Sequence, residues 1–140
     1  MSVYLDASVL VALFTRDVFT MRARTFLAAQ LPTLIVSDFA AAEFVSAVAR
    51  LVRTQEITHE LARAVFADFD MWRDRGADAA LATPSDISAA ASFIRRLDLT
   101  LRTADAINIA IARRLDATLA TFDVKMAASA PALNIPVADA

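Results

Sequence analysis

Two rhythms of apolar residues alternate along this chain. The first is a short unbroken run: Val3-Tyr4-Leu5 ends at Asp6, Leu34-Ile35-Val36 is closed by Ser37, and Thr118-Leu119-Ala120-Thr121 leads toward Asp123. Such runs, rich in β-forming residues and lacking polar alternation, predict buried strands. A weaker strand is expected over 80–83, before Pro84, and an edge strand over 135–137, where Pro136 cannot donate to a ladder. Between the runs, apolar positions recur every three or four residues. This period predicts helices over 7–15, 19–29 (broken by Pro32), 38–53, 58–75, 85–97, 103–115 and 123–130. Ser37, Thr58, Ser85 and Thr103 stand where N-caps are needed. In the fourth helix Leu61, Val65, Phe66, Phe69 and Trp72 form one stripe, either core or a surface for a partner.

Short apolar strands alternating with helices indicate a parallel sheet covered on both faces. The expected fold is a three-layer α/β domain with four or five short strands, and no linker or repeat divides residues 1–140. At 140 residues a single core is the expected organisation. The 58% hydrophobic content and net charge of −2 exclude a disordered chain.

Composition removes several chemistries. There is no cysteine, hence no disulfide framework, thiol nucleophile or thiolate zinc site. The single glycine, Gly76, excludes phosphate-cradling loops of the Walker or dinucleotide type, which need several. The mean hydropathy of +0.51 raises the question of a membrane. However, the apolar stretch 9–14 is bounded by Asp6 and Arg16 and is far shorter than the roughly 20 residues of a span. Without a basic lead-in it is no signal peptide either, so a cytoplasmic protein is expected. The net charge provides no global attraction to nucleic acid, so any such contact must be local, and all basic residues but Lys125 are arginines.

Four acids stand where α/β sheets bind ligands, beyond the carboxyl ends of strands. Asp6 follows the first strand, Asp123 follows the strand at 118–121, Asp105 lies in the first turn of its helix, and Glu43 lies in the second turn of the helix after Val36. An Asp at a helix start also serves as a cap, and Glu43 with Ser46 and Arg50 could form a solvated stripe. Gathered at one site, four carboxylates would repel one another unless a cation neutralised them. Oxygen donors without histidine or cysteine specify magnesium or manganese, not zinc. Such ions activate water and neutralise charge in phosphoryl transfer. His59, at the start of its helix, is expected on the surface, away from these acids.

The segments YLDASVLVALF, SDFAAAEFVSAVAR and LRTADAINIAIARRLDATLATFD together resemble the PIN-domain ribonucleases, in particular the VapC toxins of bacterial type II toxin–antitoxin modules. The resemblance runs along essentially the whole chain. It implies that Asp6, Glu43, Asp105 and Asp123 are an acidic quartet holding Mg2+ or Mn2+ for endoribonucleolytic cleavage. Ser8 and Thr121 match the family's small polar residues beside the first and last acids, where they would orient carboxylates. The chain departs from the family at Asn108, where a histidine is common; an amide can donate and accept but not titrate. The resemblance also implies an RNA substrate, a VapB-type antitoxin partner and a homodimer. Phe66, Phe69 and Trp72, together with Phe14, Phe19 and Phe26, are candidates for partner surface or core. Of the competing classes, a haloacid-dehalogenase-type phosphatase requires a second Asp where Ser8 stands. A receiver domain requires acids adjacent to Asp6. A degenerate PIN domain acting only as a binding module remains the alternative, with all four acids intact against it.

Overall fold

The computed structural model describes residues 2–30 and 33–140; the helix-breaking Pro32 lies outside them. The chain runs β1 (Ser2–Leu5), α1 (Ala7–Phe14), α2 (Thr20–Gln30), β2 (Thr33–Ser37), α3 (Asp38–Arg53), α4 (His59–Gly76), β3 (Asp78–Ala80), α5 (Pro84–Arg95), α6 (Thr103–Arg114), β4 (Thr118–Ala120), α7 (Val124–Ser129) and a 3-10 turn (Ala130–Leu133). The strands form one sheet in the order β3-β2-β1-β4, and every pairing is parallel. The α/β expectation holds, with four strands.

This order positions the site. From β1 the chain steps outward to β2 and β3, then jumps back to β4 on the other side of β1. Right-handed crossovers in opposite directions put α1 to α4 on one face of the sheet and α5 and α6 on the other. The reversal falls between β1 and β4, and open α/β sheets bind ligands beyond the carboxyl ends of strands at such a switch point. Asp6 follows β1 there, and Thr121 follows β4.

Three boundaries differ from expectation for identifiable reasons. β3 covers Asp78–Ala80 and not 80–83, because Thr83 serves as the N-cap of α5, with Pro84 in the first turn and the Asp86 carboxylate accepting from the Thr83 backbone N–H. Thr83, not Ser85, is therefore the cap, and proline's fixed φ favours that first turn. Arg102 takes the N-cap position of α6, one residue before Thr103, with its N–H donating to Asp105 Oδ2 at 3.1 Å. The strand expected at 135–137 contracts to a single bridge between Leu119 and Val137. Pro136 has no N–H, and its carbonyl accepts from Leu119 N at 2.9 Å.

The core is continuous around β1, where Val3, Tyr4 and Leu5 are fully buried. In α6 every residue from Ala106 to Ala112 is buried, as its mixture of alanine and isoleucine allows on all sides. The aromatic stripe of α4 is chiefly core: Phe14 meets Phe44, Phe69 and Trp72 edge-on with centroids 5.3 to 5.9 Å apart. Each such contact contributes about 1 kcal/mol beyond area burial. Phe69 and Phe26 are buried, which removes them from the candidate partner surface, and Leu61 is the member of the stripe left half exposed. Among the described residues no helix is long and apolar enough to cross a membrane.

Candidate active site

Asp6 is both cap and site residue. The turn from β1 into α1 leaves its carboxylate accepting from Val9 N at 3.2 Å, and the residue is only 4% exposed. Two hydroxyls hold it from either side: Ser8 Oγ donates to Oδ1 at 2.6 Å and Thr121 Oγ1 donates to Oδ2. Each hydroxyl is anchored in turn, Ser8 Oγ by Phe122 N at 2.8 Å and Thr121 Oγ1 by Asp123 N at 3.0 Å. The segment after β4 is thereby stitched to the start of α1. Burial pushes the Asp6 carboxyl above its ordinary range, and the hydrogen bonds from Ser8 and Thr121 pull the other way.

Glu43 projects from the second turn of α3 and is half-buried. Burial raises its pKa, the hydrogen bond from Asn108 opposes the rise, and the negative charges of Asp6 and Asp105 add to it. Asp6 and Asp105 thus lie within electrostatic reach of Glu43. Asn108 Nδ2 donates to Glu43 Oε1 at 2.7 Å, and Asn108 Oδ1 accepts from the Tyr4 hydroxyl at 2.5 Å. Tyr4 was not among the sequence candidates. The available signal was strand periodicity: residues two apart on a strand point the same way, so Tyr4 shares a face with Asp6.

Asp105 and Asp123 also act as local acceptors, from Arg102 N at 3.1 Å and Met126 N at 3.0 Å. Both line one cleft of about 430 Å3, together with Arg102 and Lys125. A second groove, of about 520 Å3, runs along α3 from Glu43 past Ser46 to Arg50 and Arg53. Glu43, Ser46 and Arg50, the residues of the alternative polar stripe, all line this groove. Among the described residues no three acidic or histidine side chains are gathered at metal-ligand spacing. Asp105 and Asp123 share a cleft, and the Asp123 backbone N–H donates to Thr121 Oγ1, whose hydroxyl holds Asp6. His59 is exposed at the start of α4, as expected.

With this arrangement in view, residues 3–130 match the family model described as PIN domain. The chain belongs to the PIN domain family. Solved structures agree with it in fold. VapC20 of Mycobacterium tuberculosis, described as a Sarcin-Ricin loop cleaving toxin, superposes with a TM-score of 0.73 at 21% identity, over 91% of this chain and 94% of that one. VapBC2 of Rickettsia felis, bound to a DNA fragment from its promoter, gives 0.72 at 15% identity, over 99% and 98%. FitAcB of Neisseria gonorrhoeae gives 0.67 at 16%, over 96% and 95%. No curated protein matches this PIN domain by sequence.

Proposed function

We propose that this PIN domain is a metal-dependent endoribonuclease acting as the toxin of a VapBC-type toxin–antitoxin pair, with Asp6, Glu43, Asp105 and Asp123 holding Mg2+ or Mn2+. The observation that carries this reading is Asp6, a buried carboxylate clasped by three donors at the switch point, with like charges for neighbours. Desolvated charges that repel one another cost stability unless a cation offsets them. The donor set fits a hard divalent ion, being carboxylate oxygen throughout. Bound there, such an ion supplies an activated water and offsets the charge that develops at phosphorus.

The chain's own residues define the rest. Ser8 and Thr121 fix the orientation of Asp6, and Asn108 fixes that of Glu43. Arg102 and Lys125 in one cleft, and Arg50 and Arg53 in the other, flank the acids with positive charge. A single RNA strand crossing the switch point would meet cations before and after the acids, as phosphate binding requires. The proposed partner is a VapB-type antitoxin, the toxin being a homodimer in the cytoplasm; the VapBC2 complex among the structural neighbours supports the pairing. Light scattering of the chain alone and co-expressed with its neighbouring gene product tests both assemblies.

The open spacing of the acids favours a second reading, a PIN domain that binds RNA without cutting it. One experiment separates the two. Purified protein is incubated with single-stranded RNA in Mn2+, in EDTA, and as Asp105→Asn in Mn2+. Cleavage confined to the first condition supports the nuclease; binding without cleavage in all three supports the module.

A further inference from the structure

A chain of polar groups buried beneath the acids leads from the start of α3 to Glu43. Ala40 N donates to Ser37 Oγ at 2.9 Å, Ser37 Oγ lies 2.6 Å from the Tyr4 hydroxyl, Tyr4 lies 2.5 Å from Asn108 Oδ1, and Asn108 Nδ2 lies 2.7 Å from Glu43 Oε1. The direction of every bond is determined. The Asn108 nitrogen faces two acceptors, Glu43 Oε1 and Ala104 O at 3.1 Å, so the amide oxygen must face Tyr4. Tyr4 must then donate to Asn108, and its oxygen accepts from Ser37, whose own oxygen is occupied as acceptor by Ala40 N. Tyr4 and Ser37 are fully buried and Asn108 nearly so, so no link can be exchanged for water at low cost.

The geometry points to Tyr4 as a positioning residue for Glu43: through Asn108 it presents an N–H to one oxygen of the Glu43 carboxylate and leaves the other for a cation. An isolated buried tyrosine needs one partner; this one has two, and both belong to a chain that ends on the candidate ligand. The chain joins β1, the β2–α3 junction, α3 and α6, so the carboxylate is referenced to the sheet and not only to its own helix. Without the Tyr4 hydroxyl, the Asn108 oxygen is left buried and unpaired, and the amide gains by rotating away from Glu43.

This inference rests on the proposed metal-dependent cleavage, and its test distinguishes the two. Mn2+ dissociation constants are measured by calorimetry for the wild type, Tyr4→Phe, Ser37→Ala and Arg114→Met, well below their melting temperatures. Arg114→Met is a destabilised control far along α6 from the acids. Tyr4→Phe should weaken Mn2+ binding about tenfold, the usual scale for groups that orient a metal ligand. Its RNA cleavage at saturating Mn2+ should stay within about twofold of wild type, because the reacting groups are unchanged. Ser37→Ala, one link further out, should shift affinity in the same direction by less, and it carries the test if Tyr4→Phe fails to fold. Arg114→Met should bind Mn2+ as wild type does. Wild-type affinity in Tyr4→Phe, or an equal loss in Arg114→Met, overturns the positioning role while leaving the nuclease in place. Failure of the wild type to bind Mn2+ overturns both.

Discussion

Replacing Arg114 by Met tests whether a polar lock fastens the last turn of α6 to the first turn of α5. Arg114 sits in the last turn of α6, and its Nε and Nη2 donate to Asp86 at 2.9 and 3.0 Å while Nη2 also donates to Leu81 O at 2.8 Å. The Asp86 side chain is 2% exposed and that of Arg114 is 35% exposed. Removing one partner of a fully buried pair costs about 3 to 5 kcal/mol, because the other charge remains desolvated. Here water can reach the arginine side and Thr83 still donates to Asp86, so about 2 to 3 kcal/mol is expected, or about 6 to 9 °C in Tm at roughly 3 °C per kcal/mol. The effect also has a pH signature. Burial pushes the Asp86 carboxyl up, but hydrogen bonds from Arg114 and Thr83 outweigh it and hold the group below the usual carboxylate range. A lowered pKa stabilises the fold above the unfolded value near 3.9 and is lost as pH falls through the folded value. The gap between wild type and Arg114→Met should therefore be full at pH 7 and narrow below about pH 4. Thermal melts of both proteins from pH 7 to pH 3.5 measure it. A Tm change under about 2 °C, or a gap independent of pH, refutes the argument.

Further outcomes follow from the candidate site. Burial makes the ionised Asp6 carboxylate costly without metal, so Asp6→Asn should melt no lower than wild type in EDTA; millimolar Mn2+ should raise the Tm of wild type and leave the variant unmoved, as calorimetry will read. Asp105→Asn should abolish RNA cleavage while His59→Ala retains it, since His59 is exposed and outside the cleft; end-mapping should find 5′-phosphate and 3′-hydroxyl products, and 2′,3′-cyclic ends would exclude water as the nucleophile. Arg50→Gln and Lys125→Gln should each raise KM for RNA with kcat unchanged and flatten the salt dependence of binding, measured in steady state across ionic strengths.

The sequence by itself determined what is local. Strand runs ending at Asp6 and Ser37, helical periods in α3 and α4, and acids at strand-to-helix junctions all follow from side-chain period, capping and residue type within a few positions. The three aspartates do accept backbone N–H groups at their helix starts, and such a bond leaves a carboxylate with further lone pairs, so capping does not by itself exclude a site role. Boundaries slipped where a neighbour claimed a residue: Thr83 belongs to α5 because Asp86 reciprocates its cap, and Pro136 reduces the last strand to a bridge. Only the tertiary structure decided the order β3-β2-β1-β4, and with it the switch point between β1 and β4. It also decided the bonds from Thr121 to Asp6, from Tyr4 to Asn108 and from Asn108 to Glu43, and the pair of Asp86 with Arg114. Those partners lie between 28 and 115 residues apart. No periodicity in the sequence spans such distances, because what brings the groups together is the stacking of parallel strands and the direction of each crossover. Once that packing has excluded water, a buried hydroxyl, amide or carboxylate must bond to whichever polar group the topology has placed beside it.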